Sequence, residues 1–253
     1  MSHMRSYGKL IGMSTRICAH RGASGYAPEN TLEAFQLAWN LGADAVELDV
    51  HLTRDGQLLV AHDEKIDRVS DGTGLIADQT LVNLKKLLFN RLHPEYEGAR
   101  APTLQEVYEL LKPSGMTINV ELKNSEIPYP GMEEKVLALT GKMGMEQRVI
   151  YSSFNHNSML LMKELDPLAK CGLLFSSVLI RPWRYAIEAG MDALHPQYGQ
   201  VLFFEDFCRK AHENGLQVNT WTVNADRDMK RVIEAGADMM ITNYPDRAKA
   251  LLG

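Results

Sequence analysis

Short apolar runs alternate with amphipathic stretches along nearly the whole chain, and this alternation constrains the fold more than any other feature. Each run is bounded by turn residues or charges, as expected of a strand buried in a parallel sheet. Eight such strands separated by helices favour a closed (β/α)8 barrel, with an open doubly wound sheet as the alternative. The eight predicted strands are Ile17–His20, Ala45–Asp49, Thr117–Glu121, Val149–Ser153, Cys171–Phe175, Ala193–Pro196, Gln217–Trp221 and Met239–Thr242.

The stretches between these strands carry helical periodicity and helix-end signals. Thr31–Leu41 has an apolar stripe at helical spacing, and a second predicted helix, Glu205–Asn214, is followed by a glycine. A glycine that ends a helix, followed by a tight turn into a strand, is what an αβ unit requires. Such a turn precedes three of the predicted strands, at Gly42-Ala-Asp44, Gly190-Met-Asp192 and Gly236-Ala-Asp238.

One segment breaks the alternation. Asp55-Gly56 is a hairpin-turn signal, so Gln57–His62 is predicted to form an extra antiparallel strand. Turn residues and one short helical pattern follow, up to residue 102. We therefore predict an insertion over about residues 57–102, after the second barrel strand, as a candidate cap on the barrel mouth.

Length and composition set the remaining bounds. We predict a single barrel domain over residues 16–253, since a chain of this length can form one core. Residues 1–15 are interpreted as an extension that begins with the vector-like sequence Met-Ser-His-Met, so His3 is excluded from the chemistry. Barrel enzymes often oligomerise, and we keep a homo-oligomer as an open expectation.

Charge and apolar patterning exclude several classes of function. Lys and Arg number 27 against 32 Asp and Glu, a net charge of −5, which argues against binding nucleic acid through bulk positive charge. No apolar run approaches the length of a transmembrane helix, and no signal-peptide core is evident, so we expect no membrane insertion and a cytoplasmic location. The three cysteines form no CxxC pair, which indicates neither a disulfide framework nor a zinc site.

Carboxylates cluster where the predicted strands end. Glu47 and Asp49 are two residues apart on one strand and therefore share a face, and Glu121 ends the next barrel strand. The carboxyl ends of barrel strands form the mouth, where active sites lie. Three carboxylates meeting there would suit a hard cation such as Mg²⁺ or Ca²⁺. Salt bridges inside the mouth are the alternative explanation.

Four further residues at the same strand ends suit phosphate chemistry. Arg21 can present a planar fork to phosphate oxygens, and Lys123 supplies a compact positive charge. His20 and His62 are candidates for proton transfer near neutral pH. A cation, an acid, a base and two positive contacts are suited to cleaving a phosphodiester. Taken singly, each residue also has an ordinary structural explanation.

Taken together, these residues resemble the glycerophosphodiester phosphodiesterase family over roughly residues 16–250. The most specific block comprises His20-Arg-Gly22, Pro28-Glu-Asn-Thr31, Gly42-Ala-Asp44, Glu47-Leu-Asp-Val50, Asp55-Gly56 and Val60-Ala-His-Asp63. Later segments are individually weaker: Pro102-Thr-Leu104, Asn119-Val-Glu-Leu-Lys123, Ser153-Phe154, Trp221-Thr-Val-Asn224 and Thr242-Asn-Tyr-Pro-Asp246.

The resemblance implies a (β/α)8 barrel that hydrolyses glycerophosphodiesters to glycerol 3-phosphate and an alcohol. It implies that Glu47, Asp49 and Glu121 bind one divalent cation, Mg²⁺ or Ca²⁺, with Glu29 near or part of that site. Asn243 departs from the pattern, since family members often carry an acidic residue there. An amide keeps the size and the acceptor oxygen but loses the charge.

The resemblance also implies roles for the remaining site residues. His20 and His62 match the family's acid–base pair, and Arg21 and Lys123 match its phosphate contacts. Trp221 matches an aromatic residue that packs against substrate carbon, with ordinary barrel packing as the alternative. We assign His20 as base and His62 as acid, and the reverse assignment stays open.

Two other functions stay open on this sequence. A lysophospholipase D would act on lipid diesters with the same scaffold and would need an apolar groove or membrane-facing patch, but the sequence shows no amphipathic basic helix of that kind. A non-catalytic phosphate-ester binding protein would keep the barrel with a damaged catalytic set, whereas here the whole set is present.

Overall fold

The computed structural model describes residues 14–252, so most of the predicted extension, including His3, lies outside the described residues. Within this range the chain forms nine strands that alternate with helices. The strands are Arg16–His20 (β1), Ala45–Leu52 (β2), Leu58–Val60 (β3), Thr117–Leu122 (β4), Val149–Ser153 (β5), Lys170–Phe175 (β6), Ala193–Pro196 (β7), Gln217–Thr220 (β8) and Met239–Thr242 (β9).

Eight of these nine strands form a closed parallel barrel. The order is β1-β9-β8-β7-β6-β5-β4-β2, and β1 also pairs with β2, which closes the sheet. The predicted barrel is confirmed, and the doubly wound alternative is wrong because an open sheet would leave β1 and β2 without this pairing. The eight predicted strands correspond to the eight barrel strands, with ends that differ by at most three residues.

Helices on the outside of the barrel bury their apolar faces against the strands. The first begins where predicted because the Thr31 hydroxyl accepts a hydrogen bond from the Ala34 amide and caps it. No helix in residues 14–252 is long and apolar enough to cross a membrane. The helices are Leu32–Asn40 (α1), Leu81–Leu84 (α2), Leu104–Leu111 (α3), Met132–Met143 (α4), His156–Leu165 (α5), Pro182–Glu188 (α6), Tyr198–Phe203 (α7), Phe207–Glu213 (α8), Asp226–Glu234 (α9) and Pro245–Ala250 (α10).

The segment between β2 and α3 packs beside the barrel rather than within it. β3 pairs antiparallel with β2, as the Asp55-Gly56 turn predicts, although it is shorter than predicted. A 3₁₀ turn, Ile66–Arg68, and the single-turn α2 follow. This segment has its own small apolar core, which contains Leu59, Ala61, Ile66, Val69, Ile76, Leu84, Phe89 and Ala101.

The three Gly-x-Asp turns share one hydrogen-bond arrangement at the opposite end of the barrel. Each aspartate donates its own amide to the carbonyl of a residue in the preceding strand, and its carboxylate accepts the amide of that same residue. The partners are Ile17 for Asp44, Cys171 for Asp192 and Val218 for Asp238, with amide-to-carboxylate distances of 2.8, 2.8 and 2.7 Å. The repeated sequence thus fixes the start of each strand against its neighbour.

Replacing Asp238 tests this arrangement. Its carboxylate is largely buried and also contacts His212 Nε2 at 2.8 Å. Asp238→Ala leaves the Val218 amide without its partner, so we expect the free energy of unfolding to fall by about 1–3 kcal/mol in urea titrations. Asp238→Asn keeps an acceptor oxygen and should lose less. Equal stability of the alanine variant and the wild type would contradict this role.

Candidate active site

Three carboxylates converge at the carboxyl end of the barrel, as predicted. Glu47 and Asp49 lie on β2 and Glu121 on β4, and the pairing of the strands sets Asp49 beside Glu121. One oxygen of each carboxylate lies within 4.8 Å of those of the other two. All three residues are buried, at 1 to 9% exposed, so their charges are poorly screened by water.

The electrostatics of this acidic cluster (Glu47, Asp49 and Glu121) favour a bound cation. Burial and the neighbouring carboxylates raise the pKa of Glu47 well above its usual range. Burial opposes ionisation of Asp49 as well, but Arg21, His62 and Lys123 outweigh it and lower its pKa to about 2. The buried Asp49 Oδ1 has no hydrogen-bond partner among the described residues. A crowded oxygen-only site with such an orphaned atom fits a hard divalent cation.

Two cationic side chains flank the acidic cluster. Arg21 Nε lies 3.5 Å from Asp49 Oδ2, and the Arg21 backbone amide donates to Glu47 Oε2 at 3.0 Å. Lys123 Nζ donates to Glu121 Oε1 at 3.0 Å and lies 3.9 Å from Asp49 Oδ1. Both predicted phosphate contacts therefore stand beside the predicted metal ligands.

His20 ends β1 and lines the pocket above the cluster. Its Nδ1 donates to Asn243 Oδ1 at 2.7 Å. Asn243, the residue that departs from the family pattern, is therefore the hydrogen-bond partner of His20. With the proton on Nδ1, the other nitrogen, Nε2, carries a lone pair and lies 4.0 Å from Glu47 Oε2. Burial and the adjacent Arg21 lower the pKa of His20 to about 4, so the ring is neutral at physiological pH.

His62 lies across the same pocket, after β3. Its Nδ1 donates to Asp63 Oδ1 at 2.6 Å, and Lys123 Nζ is 3.3 Å from its Nε2. Beneath it, the buried His51 donates from Nε2 to the His62 carbonyl oxygen at 3.0 Å. The hydrogen bond to the Asp63 carboxylate orients the imidazole ring.

Glu29 does not belong to the acidic cluster. Its carboxylate accepts from Arg21 Nη1 at 2.9 Å and from two nitrogens of Arg68, at 2.7 and 2.8 Å. These bonds to two guanidinium groups lower the pKa of Glu29 despite its burial. Glu29 therefore neighbours the predicted metal ligands through Arg21.

The pocket has an apolar wall opposite these charges. The Phe154 and Trp221 rings meet edge to face with centroids 5.5 Å apart, and Leu174 of β6 lies beside them. The indole of Trp221 donates to the His195 carbonyl oxygen at 2.7 Å, which fixes the ring. The pocket lining comprises His20, Arg21, Glu47, His62, Asn119, Glu121, Phe154, Leu174, Trp221, Thr222 and Ile241.

Sequence reasoning missed several residues that support the site. Asn30 donates to Asp49 Oδ2 at 2.8 Å from a left-handed backbone conformation, and Asn119 lines the pocket with an unpartnered buried oxygen. Their signals were available, because Asn30 follows Glu29 in the matched motif and Asn119 shares strand parity with Glu121. The roles of Asp63 and Arg68 depend on how the loop after β3 folds back.

Comparisons with known proteins place the chain in a family. The family model described as "Glycerophosphoryl diester phosphodiesterase family" matches residues 20–247. A glycerophosphodiester phosphodiesterase of Caldanaerobacter subterraneus is 42% identical over 92% of this chain and 96% of its own, and one of Bacillus altitudinis is 39% identical over the same shares. A solved Oleispira antarctica phosphodiesterase, in complex with its product sn-glycerol-3-phosphate, is 30% identical over 94% of this chain and 96% of its own, with a TM-score of 0.83. The chain belongs to the glycerophosphoryl diester phosphodiesterase family.

Proposed function

We propose that this protein hydrolyses glycerophosphodiesters to glycerol 3-phosphate and an alcohol in the pocket at the barrel mouth. One observation carries the proposal: two histidines, one bonded through Nδ1 to a neutral amide and the other to a carboxylate, line the same pocket as the acidic cluster. The relatives named glycerophosphodiester phosphodiesterase and the glycerol 3-phosphate complex of the Oleispira enzyme support the same substrate class.

The acidic cluster is the proposed binding site for one divalent cation, Mg²⁺ or Ca²⁺. Glu47, Asp49 and Glu121 would hold the ion, and Asn30 orients Asp49 through the hydrogen bond to its second oxygen. When bound, such an ion acts as a Lewis acid that neutralises phosphate charge and lowers the pKa of a coordinated hydroxyl.

The two histidines divide the proton transfers. Asn243 Oδ1 accepts a hydrogen bond from His20 Nδ1, so the Nε2 lone pair faces the pocket and can remove a proton from the nucleophile. The nucleophile is either water or the neighbouring glycerol hydroxyl of the substrate, whose attack would give a cyclic phosphate that water then opens. Asp63 Oδ1 accepts a hydrogen bond from His62 Nδ1 and orients the ring, so His62 Nε2, which lies 3.3 Å from Lys123 Nζ, is the nitrogen that would donate a proton to the departing alcohol oxygen. These environments support the assignment of His20 as base and His62 as acid.

The remaining residues orient the substrate between two cationic side chains and an aromatic wall. Arg21 and Lys123 would bind the nonbridging phosphate oxygens, and both already face the acidic cluster. The wall of Phe154 and Trp221 would pack against substrate carbon and keep water from that side. The substrate is thereby held with its phosphorus between the two histidines.

A second candidate function, lysophospholipid hydrolysis of the lysophospholipase D type, is favoured by one feature of the mouth. β6 contributes Leu174 to the pocket wall and leads directly into Val178, Leu179 and Ile180, of which Ile180 is 94% exposed. An exposed apolar run beside the pocket suits the acyl chain of a lipid diester.

A substrate panel tests both functions. We expect release of glycerol 3-phosphate from glycerophosphocholine, glycerophosphoethanolamine and glycerophosphoglycerol in the presence of Mg²⁺ or Ca²⁺. Glu121→Gln, nearly the same size without the charge, serves as the matched inactive control. Turnover of lysophosphatidylcholine alone, reduced by Ile180→Asp, would assign the lipid function instead. If no diester is hydrolysed with Mg²⁺ or with Ca²⁺, both proposed functions are wrong.

A further inference from the structure

Arg68 joins two carboxylates that stand behind the proposed catalytic groups. Its Nε donates to Asp63 Oδ2 at 2.6 Å and its Nη2 to Asp63 Oδ1 at 3.1 Å. Its Nη1 and Nη2 donate to the two oxygens of Glu29 at 2.8 and 2.7 Å. One guanidinium thus makes four hydrogen bonds, two to each carboxylate, which fixes both planes.

The bond to Asp63 bears directly on His62. Asp63 Oδ1 accepts from both Arg68 Nη2 and His62 Nδ1, so the guanidinium sets the direction from which the imidazole is held. The hydrogen bonds from His62 and Arg68 lower the pKa of Asp63, which keeps it an anionic acceptor. Without Arg68, the partly exposed Asp63 side chain would be free to rotate, and His62 would lose its fixed orientation.

The hydrogen bonds from Arg68 to Glu29 connect the segment that carries His62 and Asp63 to the barrel. Arg68 lies in the 3₁₀ turn of the segment after β3, whereas Glu29 precedes α1 on the barrel itself. Glu29 in turn accepts from Arg21, the proposed phosphate contact. Arg68 therefore sets the position of the segment that carries His62 relative to the side chain that would hold the phosphate.

We propose that Arg68 is a positioning residue for proton donation, which aligns His62 Nε2 with the departing alcohol by holding Asp63 against Glu29. This inference rests on the proposed function. In the step concerned, the attacking oxygen forms a bond to phosphorus and gives its proton to His20, while the bond between phosphorus and the alcohol oxygen breaks. The electron pair of the broken bond stays on the alcohol oxygen, which takes the His62 proton. Arg68 touches neither the substrate nor the proton.

The test compares two leaving groups. Choline leaves as a strongly basic alkoxide unless it is protonated, whereas 4-nitrophenol leaves as a weakly basic phenolate that needs no acid. We expect Arg68→Ala to lower kcat on glycerophosphocholine about 10–100-fold, part of the 10²–10⁴-fold that a general acid contributes. On glycerol 3-(4-nitrophenyl) phosphate we expect kcat to change less than about 3-fold. A rise in KM for both substrates would indicate that Arg21, which is bonded to Glu29, is held less firmly.

Matched variants separate positioning from folding. Arg100, another exposed arginine of the same segment, donates to the carbonyls of Lys85 and Leu87, and Arg100→Ala should leave both substrates unaffected. Guanidinium ion should restore part of the choline activity of Arg68→Ala, and Arg68→Lys should retain more than the alanine variant. Combining Arg68→Ala with Asp63→Ala should add no further loss, because both act through His62.

Two results would overturn the inference. Equal proportional losses of kcat on the two substrates would mean that Arg68 only stabilises the segment and does not position His62 for proton donation. Full activity of Arg68→Ala on glycerophosphocholine would remove it from the mechanism. Failure of the wild type to turn over either substrate would instead count against the proposed function, so the two failures are distinguishable.

Discussion

His20→Ala and His62→Ala are each expected to lower kcat on glycerophosphocholine by about 10²–10⁴-fold, the usual contribution of one positioned acid or base. Neither imidazole ring is expected to be needed for folding. His20 is a pocket-lining side chain at the end of β1, and His62 lies in the loop after β3. The proteins should therefore fold, and steady-state kinetics with measured melting temperatures would separate lost chemistry from lost structure.

His93, in the insertion that carries His62, provides a control for the histidine variants. It contacts the Glu95 carboxylate at 3.2 Å and the edge of the Tyr96 ring, and it is not among the residues that line the pocket. His93→Ala should keep wild-type kcat. Near-wild-type turnover by His20→Ala or His62→Ala would exclude that residue from proton transfer.

Removal of divalent cations is expected to have an effect of similar size. Chelation by EDTA should lower turnover at least about 10²-fold, because the cation supplies several kcal/mol of charge stabilisation in the transition state. Mg²⁺ or Ca²⁺ should restore activity. Glu47→Gln and Asp49→Asn should each raise the ion concentration for half-maximal activity at least 10-fold, since each deletes a charged ligand.

A readout without substrate makes the cation prediction independent of the chemistry. An ion that binds only the folded chain raises its melting temperature, so added Mg²⁺ or Ca²⁺ should stabilise the wild type. The same ion should stabilise Glu121→Gln much less. Full activity of chelated protein with no detectable metal, or equal stabilisation of both proteins, would contradict the proposed site.

The barrel could be predicted because its signals are local. Each barrel strand is a short buried segment bounded by turn residues or charges, and Gly42, Gly190 and Gly236 mark turns that the structure contains. The pairing of Asp49 with Glu121 also follows from strand parity and barrel order. The predicted second strand ends at Asp49, whereas β2 continues to Leu52 because Val50–Leu52 pair with β3 in the hairpin that Asp55-Gly56 predicts.

The second layer of the site was less predictable, because its contacts depend on loop conformation. Arg68 is 39 residues from Glu29 along the chain, and no periodicity joins them. Asn243 was recognised as a departure from the family pattern, yet its contact with His20 spans 223 residues. Glu29 was expected near or within the metal site, and the motif did not reveal that its carboxylate bonds to Arg21 and Arg68.

The most direct measurement follows glycerophosphocholine by ³¹P NMR in the presence of the wild-type protein and Mg²⁺ or Ca²⁺. The account predicts that the diester resonance is replaced by that of glycerol 3-phosphate, that EDTA stops the conversion, and that His62→Ala slows it at least about 10²-fold. Formation of phosphocholine would mean that the other phosphoester bond breaks. If the diester persists both with Mg²⁺ and with Ca²⁺, the proposed activity is contradicted.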